Sequence, residues 1–160
     1  MHSGCITRDH SVYTWGSSTF GQIGRDTSAD SNLNFVPGKV TFPADENVLP
    51  VKISCGGMHT AIVDLKGSAY CWGKSDSGQT GYSDWYKSHS TGLDTPKRVM
   101  GVKRAVDVSC GGFHTMILKE SGSVYAMGKE DFGCLGIGIV QDRLSVGTEE
   151  PTPISSLKGH

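Results

Sequence analysis

Residues 58–81 read MHTAIVDLKGSAYCWGKSDSGQTG, and this stretch decides the fold because the chain repeats it. Residues 1–24 read MHSGCITRDHSVYTWGSSTFGQIG and residues 113–136 read FHTMILKESGSVYAMGKEDFGCLG, so three copies align without a gap at offsets of 57 and 55 residues. Self-similarity at such a period predicts a propeller or a solenoid. Six columns are identical in all three copies: His2, His59 and His114; Ser11, Ser68 and Ser123; Tyr13, Tyr70 and Tyr125; Gly16, Gly73 and Gly128; Gly21, Gly78 and Gly133; Gly24, Gly81 and Gly136.

Each repeat has the pattern of a β-hairpin with a further strand on either side. In the second repeat, residues 51–55 alternate apolar and polar side chains, and two apolar runs, 59–63 and 68–72, surround a short turn. The turn column holds residue types that can adopt a positive φ: His10, Gly67 and Gly122. A proline able to begin an edge strand follows in each repeat: Pro37, Pro96 and Pro153. The sequence therefore predicts an all-β fold, with four antiparallel strands per repeat forming one propeller blade.

The invariant polar and aromatic columns are interpreted as structural. Tyr70 and Trp72 are two residues apart, so they share one face of the sheet, and we expect the Tyr column to anchor the packing between blades. We expect the His column to be hydrogen-bonded within its own sheet, through a ring nitrogen to the backbone. The Gly column of Gly16, Gly73 and Gly128 is expected to form turns.

Several motifs recur in the same order along the whole chain: CGGMHT and CGGFHT, a Tyr-X-Trp-Gly column, and GQIG and GQTG. In these motifs the chain resembles the regulator of chromosome condensation repeat family. Two positions depart from the pattern, because Met127 replaces the Trp of Trp15 and Trp72, and Cys134 replaces the Gln of Gln22 and Gln79. The resemblance implies a seven-bladed propeller.

The length fits only part of such a ring. Three repeats in 160 residues predict a single partial propeller domain over residues 1–160, with units at about 1–50, 51–101 and 102–160 and about three of seven blades. Blade faces carry apolar side chains meant for a neighbour. We therefore expect the chain either to associate with itself or to require the remaining blades of its ring.

Composition narrows the classes of partner. The chain has 15 basic and 16 acidic side chains, so nothing in its charge calls for nucleic acid or an anionic membrane. No apolar run approaches the length of a membrane span, and the first residues lack the pattern of a secretory signal. Five cysteines at scattered spacings make a poor disulfide framework. These features predict an intracellular location, cytoplasmic or nuclear, with no membrane partner and no direct binding of nucleic acid.

No motif predicts catalysis, a cofactor or a metal. The Gly16-to-Gly21 spacing is that of half a phosphate-binding loop, but it recurs in all three repeats and lacks the following Lys-Ser/Thr. Cys55 and His59 have the spacing of half a zinc site, but the equivalent pair lies on another blade. We therefore expect no catalytic residue, no bound cofactor and no metal.

Two segments are candidates for binding a partner. Four cations without an acid among them could contact an acidic surface, or could simply form a solvated edge strand: Lys97, Arg98, Lys103 and Arg104. An aromatic and charged loop could be a recognition loop, or its rings could fold back over the blade edge: Asp84, Trp85, Tyr86 and His89.

The sequence leaves two functions open. The first is a non-enzymatic, protein-binding propeller module that serves as a scaffold. The second follows only from the resemblance, since the namesake of the family is a guanine-nucleotide exchange factor for the small GTPase Ran and associates with chromatin. The partners to be expected are accordingly proteins, a small GTPase or histones among them.

Overall fold

The computed structural model describes residues 1–82, 92–138 and 147–157, and these form three antiparallel sheets, one per repeat. Blade 1 contains three strands: β1 (His2–Ile6), β2 (Val12–Gly16) and β3 (Gly38–Lys39). Blade 2 contains four: β4 (Pro50–Cys55), β5 (His59–Asp64), β6 (Ala69–Lys74) and β7 (Gly92–Arg98). Blade 3 contains four: β8 (Ala105–Cys110), β9 (His114–Lys119), β10 (Val124–Gly128) and β11 (Thr148–Pro153). The prediction of an all-β fold in four-stranded blades is confirmed for repeats 2 and 3.

The helical content of the described residues is limited to three short 3-10 turns, at Ser31–Phe35, Asp131–Gly133 and Ser155–Leu157. In the ranges covered by the structure, no helix is long and apolar enough to cross a membrane.

The strands follow the chain order within each blade, so β4 pairs with β5, β5 with β6 and β6 with β7. The blades meet at their first strands, where β4 lies against both β1 and β8, and β8 also lies against β5. The first strand of each four-stranded blade is therefore the inner one, and β7 and β11 are the outer ones. Because neighbouring strands are antiparallel, the connection from β7 to β8 leaves from the end of the blade that carries the β5–β6 turn, where the Ala105 amide donates to the carbonyl oxygen of Gly67.

Alternate residues of each strand pack against opposite neighbours, as the period of two requires. Tyr70 and Trp72 are 2% and 0% exposed and pack with Val12 and Val40 of blade 1. Each such ring buries about 150–250 Å², a gross gain of about 4–6 kcal/mol. The other face of blade 2 packs on blade 3 through a cluster of small and branched residues: Ala61, Val63, Ala69, Cys71, Val108, Ile117 and Met127.

The hairpin turns have the backbone that the sequence predicts. The φ angles are 61° at His10, 77° at Gly67 and 83° at Gly122. At Gly67 a side chain is also excluded by a neighbour, because an added Cβ would lie 2.7 Å from Cα of Arg104 in the connection to blade 3. The turn of one blade is thus held directly against the chain that leads into the next.

Candidate binding surfaces

The repeated histidine joins two blades, which corrects the expectation that it bonds to backbone within its own sheet. His59 Nε2 lies 2.8 Å from Oγ1 of Thr115 in blade 3, and Thr115 Oγ1 donates to the carbonyl oxygen of Gln79, back in blade 2, at 2.7 Å. The hydroxyl has one proton, which it gives to the carbonyl, so the histidine must donate from Nε2.

The same arrangement occurs at the junction between blades 1 and 2. His2 Nε2 lies 2.6 Å from Thr60 Oγ1, which donates to the carbonyl oxygen of Gln22 at 2.8 Å. His59 and Thr60 are neighbours in one strand, so their side chains point to opposite faces of blade 2. One of them therefore reaches blade 3 and the other reaches blade 1.

Burial keeps these imidazoles neutral. The pKa of His59 is lowered to about 4, first by burial and then by the neighbouring imidazoles of His2 and His114. The pKa of His2 is also lowered to about 4, by burial and by the N-terminal ammonium group. The Nδ1 atoms of both rings are buried without a hydrogen-bond partner among the described residues. A neutral ring fixed between blades acts as a structural link.

The Cys55–His59 and Cys110–His114 pairs were considered above as halves of a zinc site. In the part of the chain that the structure describes, no group of three or more His, Cys, Asp or Glu side chains could hold a metal ion. Burial raises the pKa of Cys55, and it raises the pKa of Cys110 to about 12. These thiols are therefore protonated at neutral pH and pack as small apolar groups.

Three of the four candidate cations are exposed at the hairpin end of blade 2, with Lys97 and Arg98 pointing to opposite faces of its outer strand. Lys97 and Arg98 end β7, and Lys103 lies in the connection from β7 to β8. Arg98 is opposite Tyr70 in the register, close to the β5–β6 turn. Within residues 1–82, 92–138 and 147–157, none of these three side chains takes part in an ion pair. We call Lys97, Arg98 and Lys103 the basic surface.

Arg104, the fourth candidate, is already engaged. Its Nε and Nη2 atoms lie 2.7 and 2.6 Å from Oε2 of Glu120, and its carbonyl oxygen accepts from the Glu120 amide at 2.8 Å. Both side chains are well exposed, so the ion pair itself adds at most about 1 kcal/mol. Its effect is to hold the connection between blades 2 and 3 against the β9–β10 turn.

The aromatic candidate loop lies outside the described residues. Asp84, Trp85, Tyr86 and His89 all fall in residues 83–91. The prediction that this loop binds a partner stays a prediction.

A second surface, at the opposite end of the blades, was missed by the sequence reasoning. The Phe113 ring is flanked by two ammonium groups, with Lys74 Nζ 5.5 Å and Lys129 Nζ 5.8 Å from its centroid. Lys74 also lies 5.0 Å from the centroid of Phe20 in blade 1. Asp76 and Asp131 pair with the two lysines at 3.0 and 2.7 Å. The sequence shows that Lys74 and Lys129 share one repeat column, but it does not show that the Phe113 ring lies between them.

Comparison with known proteins matches the three repeats directly. A family model described as the regulator of chromosome condensation (RCC1) repeat matches residues 9–63, 66–118 and 121–160. A second model of the same repeat matches residues 51–79 and 105–134.

Relatives match the chain over most of its length but only a small part of theirs. It is 33% identical to the mitochondrial RCC1 domain-containing protein RUG3 of Arabidopsis thaliana, over 99% of this chain and 34% of RUG3. It is 28% identical to the probable E3 ubiquitin-protein ligase HERC3 of Homo sapiens, over 90% of this chain and 13% of HERC3. The chain therefore spans about a third or less of these relatives.

A solved structure shows the same fold. Prp20p from Saccharomyces cerevisiae superposes with a TM-score of 0.80 at 23% identity, over 96% of this chain and 36% of Prp20p. The superposition covers all three blades of the chain, so their arrangement is that of a β-propeller.

Proposed function

Because the chain belongs to the regulator of chromosome condensation (RCC1) repeat family, we propose that it is a non-enzymatic, protein-binding propeller module. The blades supply a rigid frame, and the connections between them supply the contact residues. The basic surface is the proposed contact site, and the partner is a protein with an acidic surface.

The observation that carries the proposal is the exposure of three cations without ion pairs among the described residues. Lys97, Arg98 and Lys103 lie beside the Arg104 connection, whose backbone is fixed by hydrogen bonds to Gly67 and Glu120. Cations held on a fixed backbone attract an acidic partner and speed its association. The five free cysteines support an intracellular location for this binding.

A second candidate function is guanine-nucleotide exchange on a Ran-like small GTPase. It is favoured by the likeness to Prp20p, a protein studied for its binding to Gsp1p and histones. Of these two, the basic surface suits an acidic patch on a GTPase better than it suits histones, because like charges repel.

The experiment measures binding of the full chain to purified Gsp1p and to a histone octamer by biolayer interferometry. Lys97→Glu, Arg98→Glu and Lys103→Glu, combined in one variant, should weaken binding at least tenfold at low salt. The matched control reverses three exposed cations elsewhere on the chain, Arg8, Lys39 and Lys52, and should leave the affinity within about twofold.

The outcomes distinguish the two functions. Binding that depends on the basic surface, without release of labelled GDP from Gsp1p, supports the binding module. Release of GDP at substoichiometric chain supports exchange instead. Equal loss of binding in both triple variants would mean that overall charge, and not this surface, governs the contact.

A further inference from the structure

We propose that a groove between blades 2 and 3 binds an arginine side chain of a partner protein. The groove lies on the outer side of the junction, and its volume of about 380 Å³ is within the range of about 300–1,000 Å³ that is usual for ligand pockets. We call it the blade 2–3 groove. Its side-chain walls and its open end come from three parts of the chain: Tyr82 after β6, Met100 and Gly101 in the connection from β7 to β8, and Glu149, Glu150 and Pro151 in β11.

A difference between the two blade junctions leaves this space open. The buried Val40 and Val99 occupy equivalent places, since the amide of each donates to the first residue of the second hairpin strand in its blade. Two residues later repeat 1 has Phe42, whose ring packs edge-on against Trp72 at a centroid distance of 6.1 Å. Repeat 2 has Gly101 at this place, and no described atom lies within 4 Å of a Cβ added there. The junction between blades 2 and 3 therefore lacks the ring that occupies the other junction.

The walls of the groove are largely apolar, and one of them is an aromatic ring. Tyr82 is half-buried, and its hydroxyl donates to the carbonyl oxygen of Arg98 in β7, which holds the ring beside the groove. Met100, which is 66% exposed, and Pro151 supply further apolar surface. Such walls suit the methylene groups of a long side chain whose polar end stays near water.

The charge of the groove determines the kind of occupant. Among the described residues that line it, the only charged groups are the carboxylates of Glu149 and Glu150. Glu150 is exposed, and none of the ion pairs within residues 1–82, 92–138 and 147–157 includes it. The three cations of the basic surface are not among these lining residues. A cationic side chain in the groove is therefore the electrostatically complementary occupant.

Arginine matches this combination of ring and carboxylate better than lysine does. Its guanidinium group is planar, stacks on aromatic faces and binds a carboxylate through two parallel N–H groups. Tyr82 supplies the aromatic ring, and Glu150 supplies the carboxylate. The ammonium group of lysine is a strongly hydrated point charge that lacks the planar shape. We therefore expect lysine to bind the same groove more weakly.

The inference deepens the proposed function, because it rests on the partner being a protein. The groove adjoins the basic surface, since Tyr82 bonds to the backbone of Arg98 and Met100 follows Arg98 by two residues. A partner segment with an arginine close to acidic residues would satisfy both contacts. The two contacts have opposite charges, so a probe that is only basic tests the groove without the basic surface.

The experiment is an NMR titration of the ¹⁵N-labelled full chain with the blocked peptide acetyl-Ala-Arg-Ala-amide. We expect saturable shifts of the amide signals of Gly81, Tyr82 and Gly101, with a Kd on the order of 1–10 mM for a single side chain. The matched peptide with citrulline keeps the shape of arginine but not its charge, and it should bind at least about fivefold more weakly. The matched peptide with lysine should bind about two- to fivefold more weakly.

Variants of the chain assign the contact to named side chains. Glu150→Gln should weaken binding of the arginine peptide about three- to tenfold, and Tyr82→Leu should weaken it about two- to fivefold. Tyr82→Phe keeps the ring and should leave the Kd within about twofold. The matched control is Asp45→Asn, which removes one exposed carboxylate in the connection from blade 1 to blade 2 and should also leave the Kd within about twofold. Circular dichroism verifies that each variant is folded.

The outcomes either support the groove or overturn it. Absence of saturable shifts up to about 20 mM peptide would overturn the proposal, as would equal affinities for the arginine and citrulline peptides. Equal losses in Glu150→Gln and Asp45→Asn would assign the binding to overall charge and not to the groove. A lysine peptide that binds as tightly as the arginine peptide would overturn the choice of arginine. Because the peptide carries no acid, this test and the test of the basic surface with Gsp1p can fail independently.

Discussion

His59 of blade 2 and Thr115 of blade 3 are joined by a 2.8 Å hydrogen bond that is completely buried between the two blades. The acceptor, Thr115 Oγ1, in turn donates a hydrogen bond to the carbonyl oxygen of Gln79 in blade 2. The threonine side chain is therefore held to blade 2 by two hydrogen bonds. The His-Thr dipeptide of the repeat is accordingly a two-sided connector, with each residue serving a different junction.

The first prediction concerns this link. Thr115→Val removes the hydroxyl while keeping the shape of the side chain, so His59 Nε2 and the Gln79 carbonyl oxygen both become buried groups without partners. We expect the free energy of unfolding to fall by about 2–4 kcal/mol. Urea denaturation followed by tryptophan fluorescence measures the change.

Thr148 provides the matched control for that substitution. Its Oγ1 atom is buried and has no hydrogen-bond partner among the described residues. Thr148→Val therefore removes no hydrogen bond and should change the free energy of unfolding by less than about 1 kcal/mol. An increase in stability is also consistent with this account, because the substitution removes a buried polar group without a partner. Equal losses in the two variants would show that the hydroxyl of Thr115 does not link the blades.

The blades themselves could be read from the sequence, because hairpin strands and their turns are local features. The positive φ of His10, for example, follows from the alignment of its column with Gly67 and Gly122. The partner of His59 could not be read in the same way. A repeat pattern says that His and Thr recur together, but not that each reaches a different blade.

The candidate site was predictable only in part, for a related reason. The clustering of Lys97, Arg98 and Lys103 is visible in the sequence, since they lie within seven residues. The ion pair between Arg104 and Glu120 is not visible in the sequence, because Glu120 lies 16 residues further along the chain, in the β9–β10 turn. Phe113 is flanked by two lysines only after the blades are packed side by side.

The second prediction concerns pH. The pKa of His59 is lowered from 6.5 to about 4, so the unfolded chain binds more protons than the folded chain between these values. The stabilising contribution of the neutral ring is therefore fully present above pH 6.5 and is lost as the pH falls toward 4. We expect the free energy of unfolding to fall steadily over this window, by an amount on the order of 2–3 kcal/mol for His59, and urea denaturation at a series of pH values measures the fall.

The variant His59→Gln isolates that effect. An amide nitrogen can still donate to Thr115 Oγ1, but the side chain does not titrate. The variant should be less stable than the parent chain at pH 7 and should lose less stability on going to pH 4.5. An unchanged pH slope would show that protonation of His59 does not drive the acid destabilisation.

The third prediction concerns Gly73, which lies within β6 opposite His59 and not in the turn expected for its column. Gly73 has a φ of 101°, and an added Cβ would lie 2.6 Å from the carbonyl oxygen of Met58 and 2.7 Å from Cα of His59. Gly73→Ala should lower the free energy of unfolding by about 2–4 kcal/mol, from backbone strain and steric overlap together. Thermal and urea denaturation measure the loss.

Gly112→Ala is the matched control for Gly73→Ala. Among the residues that the structure describes, no atom lies within 4 Å of a Cβ added at Gly112, and the φ of Gly112 lies outside the left-handed region. The substitution should therefore be neutral or slightly stabilising, through reduced freedom of the unfolded chain. A loss at Gly112 as large as that at Gly73 would contradict the steric account of the column.

The fourth prediction concerns the reactivity of the five free thiols toward Ellman's reagent at pH 8. Cys5 is exposed on β1, whereas Cys71 is completely buried and its pKa is raised well above the usual value by burial. The thiolate is the form that reacts with the reagent. In the folded chain we therefore expect one thiol, Cys5, to react fast, and we expect Cys71 and Cys110 to react only after unfolding. Cys5→Ser should abolish the fast phase, whereas Cys134→Ser should leave it intact. A fast phase that survives Cys5→Ser would mean that another thiol is accessible in the folded chain, and would contradict the assignment to Cys5.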